Sequence, residues 1–323
     1  MIPVYNKEPH IHRSIKSVLT QSFQNFELII VCDPSTDNST EEVYKFTDSR
    51  ITVFHRKAPG PGGYAARNLG VQKAKSDWIV FLDADDEMLE NHLLYLNTLI
   101  TREVTACMLS SGWHLHGTAA NSKDAFSLEN EGSSNLVIPF KKYVKCEVMG
   151  LRPIWTSVAC IKKDIILAAG LFPENKITMG GDVDTWLRCV YQAKAIYWSN
   201  HIGAIYHTDS VNMVTRSSVI DPRLHVNTTE SLLESINDKE LKRALKTRSN
   251  NLVITAWNNN MQSGICNHFR LRDYLYCDKR LLRTSLYVAF SLLPAKLQVH
   301  VYRHVFKLYL AFKQMHSMKT YSS

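Results

Sequence analysis

No apolar run in the chain approaches the roughly 20 residues that cross a bilayer as a helix, so no helical membrane span is expected. The amino terminus lacks the charged-then-apolar order of a secretory signal. These two absences point to the cytoplasmic side. Cysteine is sparse, with seven scattered residues, an odd number, and no C-x-x-C pair. That excludes the usual zinc spacings and a disulfide framework and leaves reduced thiols as the expectation. No internal repeat or low-complexity tract is visible, which excludes a solenoid. Acidic residues are missing after Asp278, whereas lysine and arginine continue from Lys279 to Lys319.

What is present is enough for a large core: 323 residues, 45% hydrophobic and 21% charged, suit one large domain with an appendage, or two domains. The formal charge of +8 is concentrated at the carboxyl end, which would seek an anionic surface. No nucleic-acid motif accompanies it. On helical spacing Val301, Tyr302, Val305, Leu308, Tyr309 and Phe312 share one face, and Lys296, His300, Arg303, His304 and Lys307 another. This is the pattern of a membrane-surface helix, so a membrane rather than nucleic acid is the expected partner. The structural alternative is that the apolar face packs on the protein's own core.

From Met1 to about Ile100 strands and helices alternate. Ile2 to Tyr5, Phe26 to Val31, Ile51 to Phe54 and Trp78 to Leu82 read as strands. Ile11, Ile15, Val18 and Leu19 have helical spacing, and a second helix is expected from Ala65 to Ala74 after the loop Pro59-Gly60-Pro61-Gly62-Gly63. Alternation of this kind implies an α/β fold with a mainly parallel central sheet flanked by helices. Ligands of such sheets collect beyond the carboxyl ends of the strands. There the sequence places Tyr5-Asn6, Cys32-Asp33 and Asp83-Ala84-Asp85-Asp86, three polar clusters expected to converge on one crevice. The three carboxylates of the last cluster repel one another and suit a hard divalent cation, Mg²⁺ or Mn²⁺, with positions left for phosphate oxygens. Capping of a helix starting near Met88 is the structural alternative. Residues 103–147 are polar and irregular apart from a short strand at Leu136 to Phe140. Beyond Asp221 the composition turns helical, with one helix through Leu232, Leu233, Ile236, Leu241 and Leu245 and another from Leu252 to Met261.

Several motifs recur in a fixed order: Ile2-Pro3-Val4-Tyr5-Asn6, Ser35-Thr36-Asp37-Asn38-Ser39, Ala66-Arg67-Asn68-Leu69-Gly70, Phe81 to Asp86, Gly170 to Glu174, and Gly181-Asp182-Val183-Asp184. From residue 1 to about 215 the chain thereby resembles the family 2 glycosyltransferases, inverting nucleotide-sugar enzymes with a GT-A fold. The resemblance implies a GT-A domain over 1–220, with a nucleotide-binding half at 1–100 and an acceptor half at 101–220, followed by a helical region at 221–323. It implies that Pro3, Tyr5 and Asp33 hold base and ribose, Arg67 the diphosphate and Asp83 the ribose. Asp85 would ligate the metal, with Asp86 a secondary partner, and Asp182 would be the general base, with Asp184 the fallback. Trp186 would wall the acceptor site and His207 would reach the metal or the diphosphate. The expected substrates are a nucleotide sugar and a glycan or lipid-linked acceptor of surface polysaccharide, lipopolysaccharide or capsule assembly. A nucleotidyltransferase and a catalytically silent nucleotide-sugar-binding scaffold are the alternatives. Three departures from the family pattern are visible: Met1 falls in the middle of the first strand, which leaves an upstream start and a trimmed edge as the two readings; Cys32-Asp33-Pro34 replaces Asp-Asp-Gly; and Gly181 replaces the Glu of a Glu-Asp pair.

Overall fold

The structure, a computed structural model, describes residues 1–103, 105–117, 122–211, 221–263 and 269–276, with 287–289, 291–293 and 297. The chain divides into two compact units, Met1–Ser218 and Val219–Ser323.

In the first unit β1 (Ile2–Val4), β2 (Leu28–Cys32) and β3 (Ile51–His55) form a parallel sheet in that order. All five residues of β2 are buried, which is why the strand reads as an unbroken apolar run rather than an alternation. Helix α1 (Glu8–Leu19), with a proline in its first turn, lays Ile11, Ile15 and Val18 into the same core as Ile2, Leu28 and Ile30. Each such side chain contributes about 1.5–3 kcal/mol by leaving water. The short α2 (Ser39–Tyr44) covers α1, and α3 (Tyr64–Lys73) crosses β1 and β2.

The remaining strands build a seven-stranded mixed sheet. They are β4 (Trp78–Val80), β5 (Glu87–Met88), β6 (Met108–His116), β7 (Ser122–Lys123), β8 (Leu136–Pro139), β9 (Cys160–Lys162) and β10 (Ala195–His207). Their main path runs β4-β9-β6-β10-β5, with β7 on β6 and β8 on β10. Only β6 with β10 is parallel. The mainly parallel arrangement therefore holds for the first sheet, and the second is mixed. Around it lie α4 (His92–Arg102), α5 (Ala125–Glu129), α6 (Phe140–Val148), α7 (Lys163–Ala168) and α8 (Gly181–Ala193). Met88 sits in β5 and no helix starts there, so Asp83 to Asp86 do not cap one. Asp86 N–H donates to the Asp83 carbonyl at 3.1 Å, making a turn between β4 and β5.

In the second unit α9 (Arg223–Ser235) packs along α10 (Lys239–Gln262), with Val226, Val253, Trp257, Met261 and Leu271 in its core. The break falls at Ile236-Asn237-Asp238, inside the helix expected through Leu245. Asp238 stops it by accepting from the N–H groups of Glu240 and Leu241, a side-chain N-cap. The basic amphipathic face around 300–312 lies outside the described residues. Among the described residues no helix is long and apolar enough to cross a membrane.

Candidate active site

The strand ends of the first sheet are tied to one another before any ligand is considered. Asn6, at the end of β1, has a φ of 51°, a left-handed conformation that asparagine tolerates. It accepts from Thr36 N–H at 2.8 Å, while its own N–H donates to Ser35 Oγ at 3.1 Å. Lys7 N–H donates to Ser39 Oγ at 2.7 Å, and Glu8 N–H to Asp37 Oδ2 at 3.1 Å. The Ser35-to-Ser39 motif thus shapes the rim by bonding the loop after β1.

Beyond that rim opens a cavity of about 390 Å³. Pro3, Tyr5, Asp33, Arg67, Asp83, Asp85 and Asp182 all line it. Seven of the expected site residues, from five separate stretches of sequence, therefore share one space. Trp186 and His207 do not line it. Trp186 is buried and edge-on to both Phe81 and Phe172, at 5.5 and 5.4 Å between ring centroids. It belongs to the core instead of walling an acceptor, because the inner face of α8 points its large apolar residues inward. His207 lies against His116, and its Nε2 is 3.5 Å from Glu87 Oε2. At the end of β10 its ring turns away from the cavity.

The acids differ in how far the protein has satisfied them. Asp33 is buried and held by Arg56 Nη1 at 2.7 and 2.9 Å from its two oxygens, with Gly60 N–H at 3.1 Å. Arg67 is buried, donates to the Gly62 carbonyl at 2.8 Å and pairs with Asp83. Burial raises the Asp83 pKa, Arg67 opposes that rise, and Asp85 adds to it. Asp86 is fully enclosed, accepting from Ser157 Oγ at 2.7 Å and from His207 N–H at 3.3 Å. Its carboxyl is raised well above the usual range by burial, then by Asp85 and Asp83. With both oxygens used inside the protein, Asp86 brackets two segments and is no metal ligand.

Asp85 is different. Lys7 Nζ reaches its Oδ2 at 2.7 Å and Arg13 donates to its carbonyl at 2.6 Å, but its second carboxylate oxygen meets no donor among the described residues. No group of three His, Cys, Asp or Glu side chains converges on a metal position among the described residues. Asp85 fits a divalent ion in another way: one hard oxygen ligand at the cavity wall, with the remaining positions open to phosphate oxygens and water.

Asp182 stands in the first turn of α8, whose N-cap Gly180 has a φ of 84°. Half-buried in the cavity wall, its carboxylate makes neither a hydrogen bond nor an ion pair among the described residues. Asp184, by contrast, is 1% exposed and paired with Arg188 Nε at 2.8 Å, which removes it as a base. The departure at Gly181 has a steric cause. A Cβ there would lie 2.6 Å from Pro173 Cγ and 2.7 Å from Tyr64 Cζ. Tyr64 fills the space a side chain would need, and its hydroxyl accepts from Gly181 N–H at 2.9 Å. Burial, and then the nearby Asp182 charge, push the Tyr64 pKa upward.

Sequence reasoning missed Lys7, Arg56, Tyr64, Trp155 and Ser157. Lys7 directly follows the Tyr5-Asn6 strand end, and Tyr64 follows a double glycine, so both carried a local signal. Arg56, Trp155 and Ser157 carried none.

A parallel sheet joined to a mixed sheet, with an acidic strand-end turn facing a helix-borne carboxylate, defines a GT-A nucleotide-sugar fold. Residues 1–141 match the model of Glycosyl transferase family 2, so the likeness to that family covers the amino-terminal part of the chain. It is 45% identical over 95 residues to an uncharacterized glycosyltransferase of Rickettsia bellii, covering 29% of this chain and 13% of that protein. It is 42% identical over 94 residues to the Escherichia coli UDP-Glc:alpha-D-GlcNAc-diphosphoundecaprenol beta-1,3-glucosyltransferase WfgD, covering 29% and 36%. The chain thus spans well under half the length of these curated relatives. Among solved structures, S. aureus TarS 1-349 in complex with UDP-GlcNAc superposes with a TM-score of 0.63 at 15% identity, over 94% of this chain and 86% of that one. A likeness at that identity concerns the fold.

Proposed function

We propose that the protein is an inverting, divalent-metal-assisted glycosyltransferase that moves a hexose-type sugar from a nucleotide-sugar donor to an acceptor hydroxyl in surface glycan assembly. The observation that carries this reading is one cavity bounded by both Asp85 and Asp182, each with carboxylate capacity the protein leaves unused. Tyr5 offers an aromatic face to the base beside Pro3, while Asp33, fixed by Arg56, accepts from base N–H or ribose hydroxyl. Asp83 addresses the ribose. Arg67 matches diphosphate oxygens with its planar fork. Asp85 would hold a divalent ion, whose charge would stabilise the departing nucleoside diphosphate. Asp182 takes the proton of the acceptor hydroxyl as its oxygen bonds to the anomeric carbon and the carbon–phosphate-oxygen bond breaks. A single displacement of this kind inverts the anomeric centre and needs no protein nucleophile. The acceptor is a glycan or a lipid-linked glycan. The basic carboxyl-terminal stretch holds the enzyme at the inner membrane surface.

Incubation with Mn²⁺ and a panel of nucleotide sugars is expected to release nucleoside diphosphate. Release of pyrophosphate would instead indicate nucleotidyl transfer, and no release from any donor would indicate a silent binding protein. For the tail, removal of residues from Arg280 is expected to reduce sedimentation with anionic liposomes at low salt, and unchanged sedimentation would contradict the membrane assignment.

A further inference from the structure

Two aromatic side chains on the cavity wall have no part in the chemistry above. Trp155 precedes the 3₁₀ turn Thr156–Val158, and Tyr206 lies one residue from the end of β10. Both line the cavity. Their ring centroids are 4.8 Å apart at an interplanar angle of 47°, so they form an open corner rather than a closed stack. Behind Trp155 sits the buried Trp113, 5.6 Å away between centroids, which backs the corner with a fixed surface. Trp155 itself is half-buried, and its indole N–H has no acceptor among the described residues.

The corner is also held in place. Ser157, two residues after Trp155, donates to Asp86 Oδ2, and the N–H of His207, next after Tyr206, donates to Asp86 Oδ1. One buried carboxylate, adjacent in sequence to Asp85, therefore fixes both aromatic residues relative to the acidic turn. This accounts for the third acid of the Asp-Ala-Asp-Asp cluster.

We infer that Trp155 and Tyr206 form the acceptor subsite and that the acceptor presents a pyranose ring to it. The inference rests on the glycosyltransferase reading and adds the class of acceptor. A sugar ring has an apolar C–H face edged by hydroxyls, which matches an aromatic surface beside an unpaired N–H donor. The nucleotide is addressed from the strand ends of the first sheet, by Pro3, Tyr5 and Asp33. The corner belongs to the second sheet, the wall left to a second substrate. A flexible polyol phosphate has no such face to stack and would gain little from it.

The test uses the full chain with Mn²⁺ and UDP or GDP, titrated with methyl pyranosides and, separately, with ribitol and glycerol 3-phosphate, and followed by tryptophan fluorescence and by competition in donor turnover. Methyl pyranosides are expected to give a saturable signal. Trp155→Ala should weaken their apparent affinity about tenfold, the scale of one lost aromatic contact, and Trp155→Phe should restore most of it. Nucleotide affinity should be equal in all three proteins. Pyranoside affinity unchanged in Trp155→Ala, no pyranoside signal in the wild type, or polyols saturating as well as pyranosides would each overturn the assignment. Lost nucleotide affinity in Trp155→Ala would also overturn it, by making the corner a base site. Failure of the wild type to bind any nucleotide would sink the parent reading instead, and pyranoside binding is read independently of it.

Discussion

The two sheets meet at one cavity but bring opposite kinds of surface to it. The parallel sheet offers a rim whose polar groups are largely bonded within the protein: Asn6 to Thr36, Lys7 to Ser39, Glu8 to Asp37, and Asp33 to Arg56. The wall formed by the mixed sheet and α8 brings groups left open, namely Asp182 and the Trp155 indole N–H. Asp85 stands between them, with one oxygen on Lys7 and one open. A bonded rim is pre-organised and suits the part of a substrate that must be held. Open groups suit the part that reacts, because a carboxylate already engaged cannot take a proton.

The contrast breaks first at Asp182. Asp182→Asn is expected to lower kcat by about 10²-fold or more, the scale of a lost general base, with donor affinity and melting temperature near those of the wild type because the carboxylate supports no other group. Asp184→Asn should do the reverse, lowering stability through Arg188 and affecting turnover only in proportion to unfolded protein. Equal turnover in Asp182→Asn and wild type would remove Asp182 from the mechanism.

The next contrast is between adjacent acids. Asp86→Ala leaves Ser157 Oγ and the His207 N–H buried without an acceptor and should cost about 2–4 kcal/mol in urea unfolding. Asp85→Ala loses one partly exposed pair with Lys7 and should cost at most about 1 kcal/mol. Similar losses at the two positions would mean that Asp85 is structural too. A smaller effect is expected at the helix start. Gly181→Ala drives a methyl toward Tyr64 and Pro173, costing about 1–3 kcal/mol, and Tyr64→Phe removes one hydrogen bond worth about 1 kcal/mol. If Gly181→Ala is neutral, sterics do not explain the missing acid at that position.

The mildest effect lies away from the cavity. His92 Nδ1 and His201 Nε2 are 2.9 Å apart, and burial holds the His201 pKa at about 4 against an ordinary 6.5, with His92 lowered as well. Between those values the unfolded chain binds more protons than the folded one. Their contribution is therefore complete above pH 6.5 and lost as pH falls toward 4. His201→Asn should flatten the decline of the urea midpoint across that window, and an unaltered slope would show that other groups govern it.

The same division explains what could be read from sequence. Strands β1 to β4 are short apolar segments between turn residues, so β2, wholly buried, could hardly be missed. Strands β6 and β10 are the long members of the second sheet, yet they read Met-Leu-Ser-Ser-Gly-Trp-His-Leu-His and Ala-Ile-Tyr-Trp-Ser-Asn-His-Ile-Gly-Ala-Ile-Tyr-His. Ser110, Ser111, Gly112, Ser199 and Gly203 inside them are buried, and no period of two survives. In the site, the motifs pointed to Asp85 and Asp182 from a strand end and a helix start, where a local pattern carries the signal, and both residues line the cavity. Trp186 was misread because an aromatic residue on a helix gives no hint of which face it occupies, and Phe81 and Phe172 decide that only in three dimensions. Arg56 and Ser157 owe their roles to contacts 23 and 71 residues away, beyond any local pattern.

The most direct test of the cavity's division of labour is calorimetric titration of UDP or GDP with and without Mn²⁺ into the wild type, Asp85→Ala and Asp182→Asn. The wild type and Asp182→Asn should bind the nucleotide more tightly with Mn²⁺, while Asp85→Ala should lose that gain. A gain in affinity that survives in Asp85→Ala, or disappears in Asp182→Asn, would contradict the assignment of the cation to one acid and of the proton to the other.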